Sequence, residues 1–573
     1  MAAIMDLRSG RPWLHLDFLK TGLVLLALVL GLLIVLPMAW LVYYSFIDQD
    51  GGLTLGNYGL LVTDTTLLRP FLRTLGIAVS VGLLCCIVAT PLAWLAARTD
   101  LPGRRILRML VMASFVTPPF LGAIAWEILA APNTGLVNEL FRHLAGQQRN
   151  EHLVNIYTIQ GLTFVMTCYT FPYVFTLVAN GLDRIPSDLE DASSILGGGM
   201  TTTLRRITIP LVLPALLAGA LIAILQTVTA FGEPAILALP AGFHVATTKI
   251  WSLFQYPPKP ELAAAASMPL FLIAILLLQG KSWILGRKGY TIQGGKSGQA
   301  RITPLGKWKP VAMAYAALIL SLAIVLPYFA LFKTALTRLV SDPLTFENLT
   351  LEHFRFVFLE YSPTQLAMWN TFSLGILTAT VGTFIALMTA YMVSRSPVRG
   401  SAALGVLATI PIAVPSIVLG VGIFLAYSQP ELRLYGTRWI LLLAFLTIAM
   451  PAAYQQVHAA FQGVHVELEE ASRILGSGRL QTLRRITAPL IRTSVIATWC
   501  FVFVSTIREL SASILLTTAN TNLVSVMIYN LNENGNGLGP ISVLGIVLLG
   551  VSVTVIALVN RLPGHRSMQL RQI

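Results

Sequence analysis

Residues 189–211 read LEDASSILGGGMTTTLRRITIPL, and residues 468–490 read LEEASRILGSGRLQTLRRITAPL. Sixteen of these 23 positions are identical, in register and without a gap. The chain is therefore a tandem duplication. Both copies are too polar to lie in lipid. Leu189, Ala192, Ile195 and Leu196 recur at helical spacing in the first copy, as do Leu468, Ala471, Ile474 and Leu475 in the second. Pro186 and Ser187 precede the first helix, and Asp188 and Glu190 fall in its opening turn, where the helix dipole favours acids. Gly197 and Gly476 follow the short helices, where a reversal calls for left-handed backbone. Pro210 and Pro489 stand where the next apolar segment begins, a position that tolerates a missing N–H. Each copy thus predicts a short helix, a glycine break, a basic turn and a new apolar segment.

The repeated segments are islands in an apolar sequence. The chain is 55% hydrophobic and 11% charged, with a mean hydropathy of +0.74. A soluble chain carries about 25% charged residues, so the deficit points to lipid as the solvent. Runs of about 20 apolar residues cross a bilayer as helices. They are too long and too uniform for the alternating strands of a barrel. About twelve such spans are predicted by hydropathy, near residues 21–46, 74–97, 107–131, 157–180, 211–231, 262–285, 311–333, 371–394, 402–427, 438–460, 491–507 and 541–560. The first of them follows Arg8, Arg11 and Lys20 but is far longer than a signal peptide's apolar core of about 7–15 residues, and no small-residue cleavage site follows it.

Charge orients the spans. With the N-terminus in the cytoplasm, roughly 27 of the 39 Lys and Arg residues fall on the cytoplasmic side, as the positive-inside rule requires. Arg98, Arg104, Arg105 and Arg108 share one loop; Arg395 and Arg399 share another. The formal charge of +14 reports this topology and contact with anionic lipid. It does not point to nucleic acid, since there is no basic soluble domain to hold one. Each half has six spans in the same orientation, a parallel repeat. Residues 1–285 form the first repeat, residues 286–310 a basic cytoplasmic linker, and residues 311–573 the second. Arg98 closes span two as Arg395 closes span eight, and Thr74 opens the former as Asn370 and Thr371 open the latter.

The repeated segment resembles the EAA signature of ABC importer permeases: an acid, two small residues, a glycine, then isoleucine and proline at the next span. The matching residues are Asp191, Ala192, Ser193, Gly197, Ile207 and Pro210, and Glu470, Ala471, Ser472, Gly476, Ile486 and Pro489. Asp replaces Glu once, Ser replaces the second Ala twice, and Ile209 or Ala488 precedes the proline instead of leucine. The resemblance implies an all-α integral membrane protein of the type I importer permease kind. It implies coupling helices near 187–197 and 467–476 that dock on two copies of a cytoplasmic ATPase. Glu190 and Glu469 belong to that coupling set beside the signature residues. An external binding protein, periplasmic or lipid-anchored, would deliver the substrate. The implied location is a bacterial inner membrane, with both termini cytoplasmic.

The chain itself is expected to bind no cofactor and to hydrolyse no ATP, the nucleotide and its magnesium belonging to the partner. The nearest phosphate-loop decoy, GYTIQGGKSG at 289–298, has Tyr290 where the leading glycine belongs, with no apolar strand before it. Cys85, Cys86, Cys168 and Cys500 lie in apolar segments without metal-ligand spacing. His244, His353 and His465 are isolated, and no metal site is predicted.

Ionisable residues near membrane depth are costly and often functional. Span eleven ends in Ser505-Thr506-Ile507-Arg508-Glu509-Leu510-Ser511, and the same region of the first repeat reads Ala230-Phe231-Gly232-Glu233-Pro234. Arg508 and Glu509 either pair with each other, line a translocation path with Glu233, or sit in an exposed external loop. The stretch Arg508–Ser513, with Tyr529-Asn530-Leu531 after it, looks like the fused permeases of the ferric-iron importer group. Permeases for 2-aminoethylphosphonate, thiamine and polyamines are similar, and these cargoes stay open beside iron. A twelve-span secondary transporter is the rival class, but its ion coupling calls for charges at span centres, which are nearly absent here.

Overall fold

The computed structural model describes residues 12–146, 151–287, 302–396, 398–535 and 537–561. Most of the predicted linker, and both chain ends, lie outside the described residues. What is described is helical. Ten helices are long and apolar enough to cross a membrane, from Leu19–Ser45 to Leu538–Val559. They match ten of the predicted spans.

The other two, predicted at 107–131 and 402–427, are not straight helices. Arg104–Ser114 and Pro119–Ala130 meet at 101°, and Ser401–Ala413 and Ser416–Tyr427 meet at 112°. The cause is in the sequence. Pro118 and Pro415 hold extended backbone at the breaks, with ψ of 127° and 140°. A residue preceding a proline avoids the helical region, and a proline ring clashes with the carbonyl four residues back. Each bent pair still runs the length of a neighbouring span. Arg108 pairs with Asp183 at one end of the helix Ile159–Asp183, and Glu127 accepts from the Tyr157 hydroxyl beside its other end, at 2.8 Å in both cases. In the second repeat a Cβ at Gly405 would meet the Tyr454 hydroxyl, while the Leu434 amide, just before the helix Arg438–Gln462, donates to the Tyr427 carbonyl. Among the described residues, with each bent pair counted as one span, the candidate spans number twelve.

Proline also explains four π-helical turns, at Gly31–Val35, Leu204–Thr208, Ser321–Val325 and Leu483–Thr487. Pro37, Pro210, Pro327 and Pro489 each follow two residues later. In every case the residue before the proline donates to the carbonyl five residues back. Widening the turn keeps the helix continuous where proline removes a bond. This corrects one sequence reading. Arg205-Arg206 and Arg484-Arg485 are not in a turn preceding the fifth and eleventh spans but inside them, since the helices start before Pro210 and Pro489, one running Thr201–Thr229.

The helices pack as two compact units that do not follow the repeat boundary. One contains the first span up to Tyr44, residues 366–525 and the chain from Val551; the other contains residues 45–365 and 526–550. In the first unit, Pro37 cannot supply an N–H for the Leu33 carbonyl, and the π turn releases that of Leu32. The Thr447 hydroxyl donates to Leu33 at 2.9 Å and the Tyr427 hydroxyl to Leu32 at 2.5 Å. In the second unit, Tyr315 and Tyr328 of the seventh span bond the Val88 carbonyl and the Thr117 hydroxyl. The opening span of each repeat therefore packs against helices of the other repeat.

Candidate functional site: the two repeated short helices

Ser187–Ile195 and Val466–Ile474 are the two short helices the repeat predicts. Each ends on a left-handed glycine, Gly197 at φ +81° and Gly476 at φ +86°. The following amides fold back: Gly198 donates to the Ser193 carbonyl at 2.8 Å and Ser477 to that of Ser472 at 3.1 Å. Such a reversal satisfies the carbonyls a helix end leaves open. The Ser193 hydroxyl meets that of Thr203 at 2.8 Å, and Ser472 meets Thr482 at 3.1 Å. These bonds fasten each short helix to the start of the next span.

The buried acid of each helix is Glu190 or Glu469. Glu190 accepts from Arg98 at 3.4 Å and from the Thr208 hydroxyl at 3.1 Å. Glu469 accepts from Arg395 and from the Thr487 hydroxyl, both at 2.9 Å. The guanidinium groups also cap the ends of the fourth and tenth spans. Arg98 donates to the carbonyls of Leu182 and Ile185 at 2.6 and 2.8 Å, and Arg395 to those of Phe461 and Val464 at 3.0 and 2.8 Å. Lone buried charges are expensive, and pairing with further hydrogen bonds offsets that cost. Each latch thus joins the short helix to three spans.

Asp191 and Glu470, the signature acids, are exposed, as are Ala192 and Ala471. The outward faces are more apolar than the inward chemistry suggests. Ile195 and Leu196 are 85% and 87% exposed, and Ile474 and Leu475 are 85% and 86% exposed. An exposed isoleucine–leucine pair thus recurs at the same place in both repeats. Sequence reasoning singled out ten residues of these two segments but gave Arg98, Arg395, Thr208 and Thr487 no part in them. The signal was present: both arginines close equivalent spans, and both threonines belong to the repeated LRRIT.

Glu233, Arg508 and Glu509 lie at the far ends of the fifth and eleventh spans. Glu233 is buried in the first turn of Gly232–Leu237, where burial pushes its carboxyl up to about 7. Glu509 caps the short helix Ser513–Leu516, accepting from the Ala512 and Ser513 amides at 2.9 and 3.0 Å and from the Ser513 hydroxyl at 2.7 Å. Arg508 is half-buried beside it. Among the described residues no group of three or more His, Cys, Asp or Glu is arranged to hold a metal ion.

Residues 89–334 and 382–565 both match the family model described as "Binding-protein-dependent transport system inner membrane component". The chain is 24% identical over 518 residues to the putative ferric transport system permease protein FbpB 1 of Haemophilus influenzae, covering 89% of this chain and 79% of that one. It is 25% identical over 454 residues to the ferric transport system permease protein FbpB of Actinobacillus pleuropneumoniae, covering 77% and 63%. It is 22% identical over 258 residues to the putative 2-aminoethylphosphonate transport system permease protein PhnV of Salmonella paratyphi A, covering 44% of this chain and 96% of that one.

Proposed function

The chain belongs to the family of binding-protein-dependent transport system inner membrane components, and on that premise we propose that it is the permease of an ATP-driven importer whose cargo is ferric iron. The observation that carries the coupling part is the doubled, exposed Ile-Leu pair at the end of two short helices latched by the same residue types. Two equal surfaces call for two equal partners, and two copies of a cytoplasmic ATPase meet that need. ATP and magnesium act in those partners, and this chain works as a non-enzymatic conduit. The ATPase side, and with it both termini, is cytoplasmic. An external binding protein delivers cargo at the opposite face. Closure of the ATPase pair draws the coupling helices together, and the spans fastened to them turn the path from outward to inward access. Glu233, Arg508 and Glu509 stand at the outer end of that path.

Iron is favoured over 2-aminoethylphosphonate because the two ferric relatives match across most of this chain, whereas the phosphonate relative matches less than half. Uptake of radiolabelled ferric iron and of 2-aminoethylphosphonate, in cells with and without this chain, tests the reading. Loss of iron uptake alone supports it. Loss of phosphonate uptake alone keeps the permease and changes the cargo. Unchanged uptake of both removes the iron assignment.

A further inference from the structure

Each latch has a counterpart at the other end of the same spans. The hydroxyl oxygen of buried Thr74 accepts the Ala246 amide at 2.8 Å, the first amide of the helix Ala246–Ser252. The hydroxyl oxygen of buried Thr371 accepts the Val524 amide at 2.9 Å, the first amide of Val524–Glu533. First-turn amides have no partner inside their own helix, so each threonine supplies an acceptor that nothing local replaces. A second tie stands next to the first. Thr247 donates to the Ala230 carbonyl at 2.7 Å, and Ser525 donates to the Glu509 carbonyl at 2.6 Å. Those carbonyls lie one and two residues past the fifth and eleventh spans, which end at Thr229 and Ile507.

These contacts form a closed frame in each repeat. In the first, Glu190 on the coupling helix is held by Arg98 of the second span and Thr208 of the fifth. The far ends of the same two spans hold Ala246–Ser252 through Thr74 and Ala230. In the second, Glu469, Arg395, Thr487, Thr371 and Glu509 occupy the same places. Twenty-four residues separate Thr74 from Arg98, and twenty-four separate Thr371 from Arg395. At about 1.5 Å per residue each strut is about 36 Å long, enough to cross a hydrocarbon core of about 30 Å.

We propose that Thr74 and Thr371 are positioning residues: the second and eighth spans carry coupling-helix movement across the membrane and deliver it, through these two hydroxyl oxygens, to the segments 230–246 and 509–524. Those segments bear Glu233 and Glu509, with Arg508 immediately before the second. The frame turns as one body because its four corners are bonded. The inference rests on the permease reading for what drives the motion, but the frame itself is a property of this chain.

Two measurements test it. In vesicles holding this chain with its ATPase and cargo-loaded binding protein, T74V and T371V should leave basal ATP hydrolysis unchanged. They should cut the stimulation by loaded binding protein about fivefold or more. T74S and T371S, which keep the oxygen, should retain it. Full stimulation in the valine variants, or equal loss in the serine variants, overturns the proposal. In the purified chain alone, R98K should raise amide exchange in 246–252 and not in 524–533, and R395K the reverse. Unchanged exchange, or an equal rise in both helices, overturns it as well. Absence of stimulation in the unmodified complex counts against the permease reading, while the exchange arm still decides the frame.

Discussion

The two ends of the duplicated spans have diverged unequally. At the coupling end both repeats make the same bonds with the same side chains: arginine to two carbonyls and a glutamate, threonine to that glutamate, serine to threonine. At the far end only the hydroxyl ties match. Glu233 is buried in a first helical turn, whereas Glu509 lies a few residues nearer its span and caps a four-residue helix. Under the proposed function the first end would meet two copies of one partner, which favours symmetry, and the other a single binding protein and cargo, which does not. The latches themselves differ in one respect. Arg395 uses Nε for Glu469 and Nη2 for the carbonyls, while the Nε of Arg98 is buried without a hydrogen bond.

Removing either arginine should have the largest effect. R98A or R395A strands a buried glutamate and two carbonyls, which costs about 3–5 kcal/mol. Thermal unfolding in detergent should show it, with loss of uptake. Equal losses would sharpen the symmetry of the coupling ends; loss from one half alone would break it. Lysine probes the difference. At 98 two nitrogens, Nη1 and Nη2, are engaged, whereas at 395 Nε, Nη2 and, at 3.5 Å to the Ser394 carbonyl, Nη1 all donate, so a single ammonium replaces less of the bonding at 395. R395K should therefore lower uptake more than R98K.

The threonines come next. T208V and T487V each remove a hydrogen bond to a buried carboxylate, worth about 1.5–3 kcal/mol, and should shift the unfolding temperature by similar amounts. G197V and G476V follow. Nothing lies within 4 Å of a Cβ at either glycine, so the penalty is the left-handed backbone alone, about 1–2 kcal/mol. The reversal that aims Ile195-Leu196 and Ile474-Leu475 should be disturbed, raising the ATP consumed per cargo while the spans stay inserted. G197N and G476N should be milder, since asparagine visits that conformation. Equal coupling in the valine and asparagine variants would remove the backbone argument.

The sequence made the helical membrane class, the span positions and the repeated short helices legible, because each rests on local pattern: hydropathy for the spans, period and glycine for the short helices. The breaks at Pro118 and Pro415 were legible too, but hydropathy averages over a proline and reads through it. The π turns needed the same attention, proline by proline. Glu190 and Glu469 carried no local sign of burial, since their role depends on Arg98 and Arg395, more than 70 residues earlier in each case. The exchange of first spans between repeats left no local trace. It depends on which hydroxyls reach the carbonyls that Pro37 frees, and those hydroxyls come from Tyr427 and Thr447.

The smallest expected effects separate the two far ends. E509Q keeps one acceptor oxygen but loses the charge that caps Ser513–Leu516, a cost of about 1 kcal/mol. E233Q should cost nothing at neutral pH. The Glu233 carboxyl is raised from an ordinary value of 4.5 to about 7, with burial the largest cause and its own backbone opposing. The folded chain then holds a proton that the unfolded chain has released, so stability falls as pH rises from 4.5 through 7 and levels off above it. Burial raises the Glu509 carboxyl too, so E233Q and E509Q should each reduce the slope. Unfolding temperatures of the three proteins across pH 5 to 8 decide the matter. A slope unchanged by E233Q would mean that the folded chain holds no extra proton on Glu233 in this range.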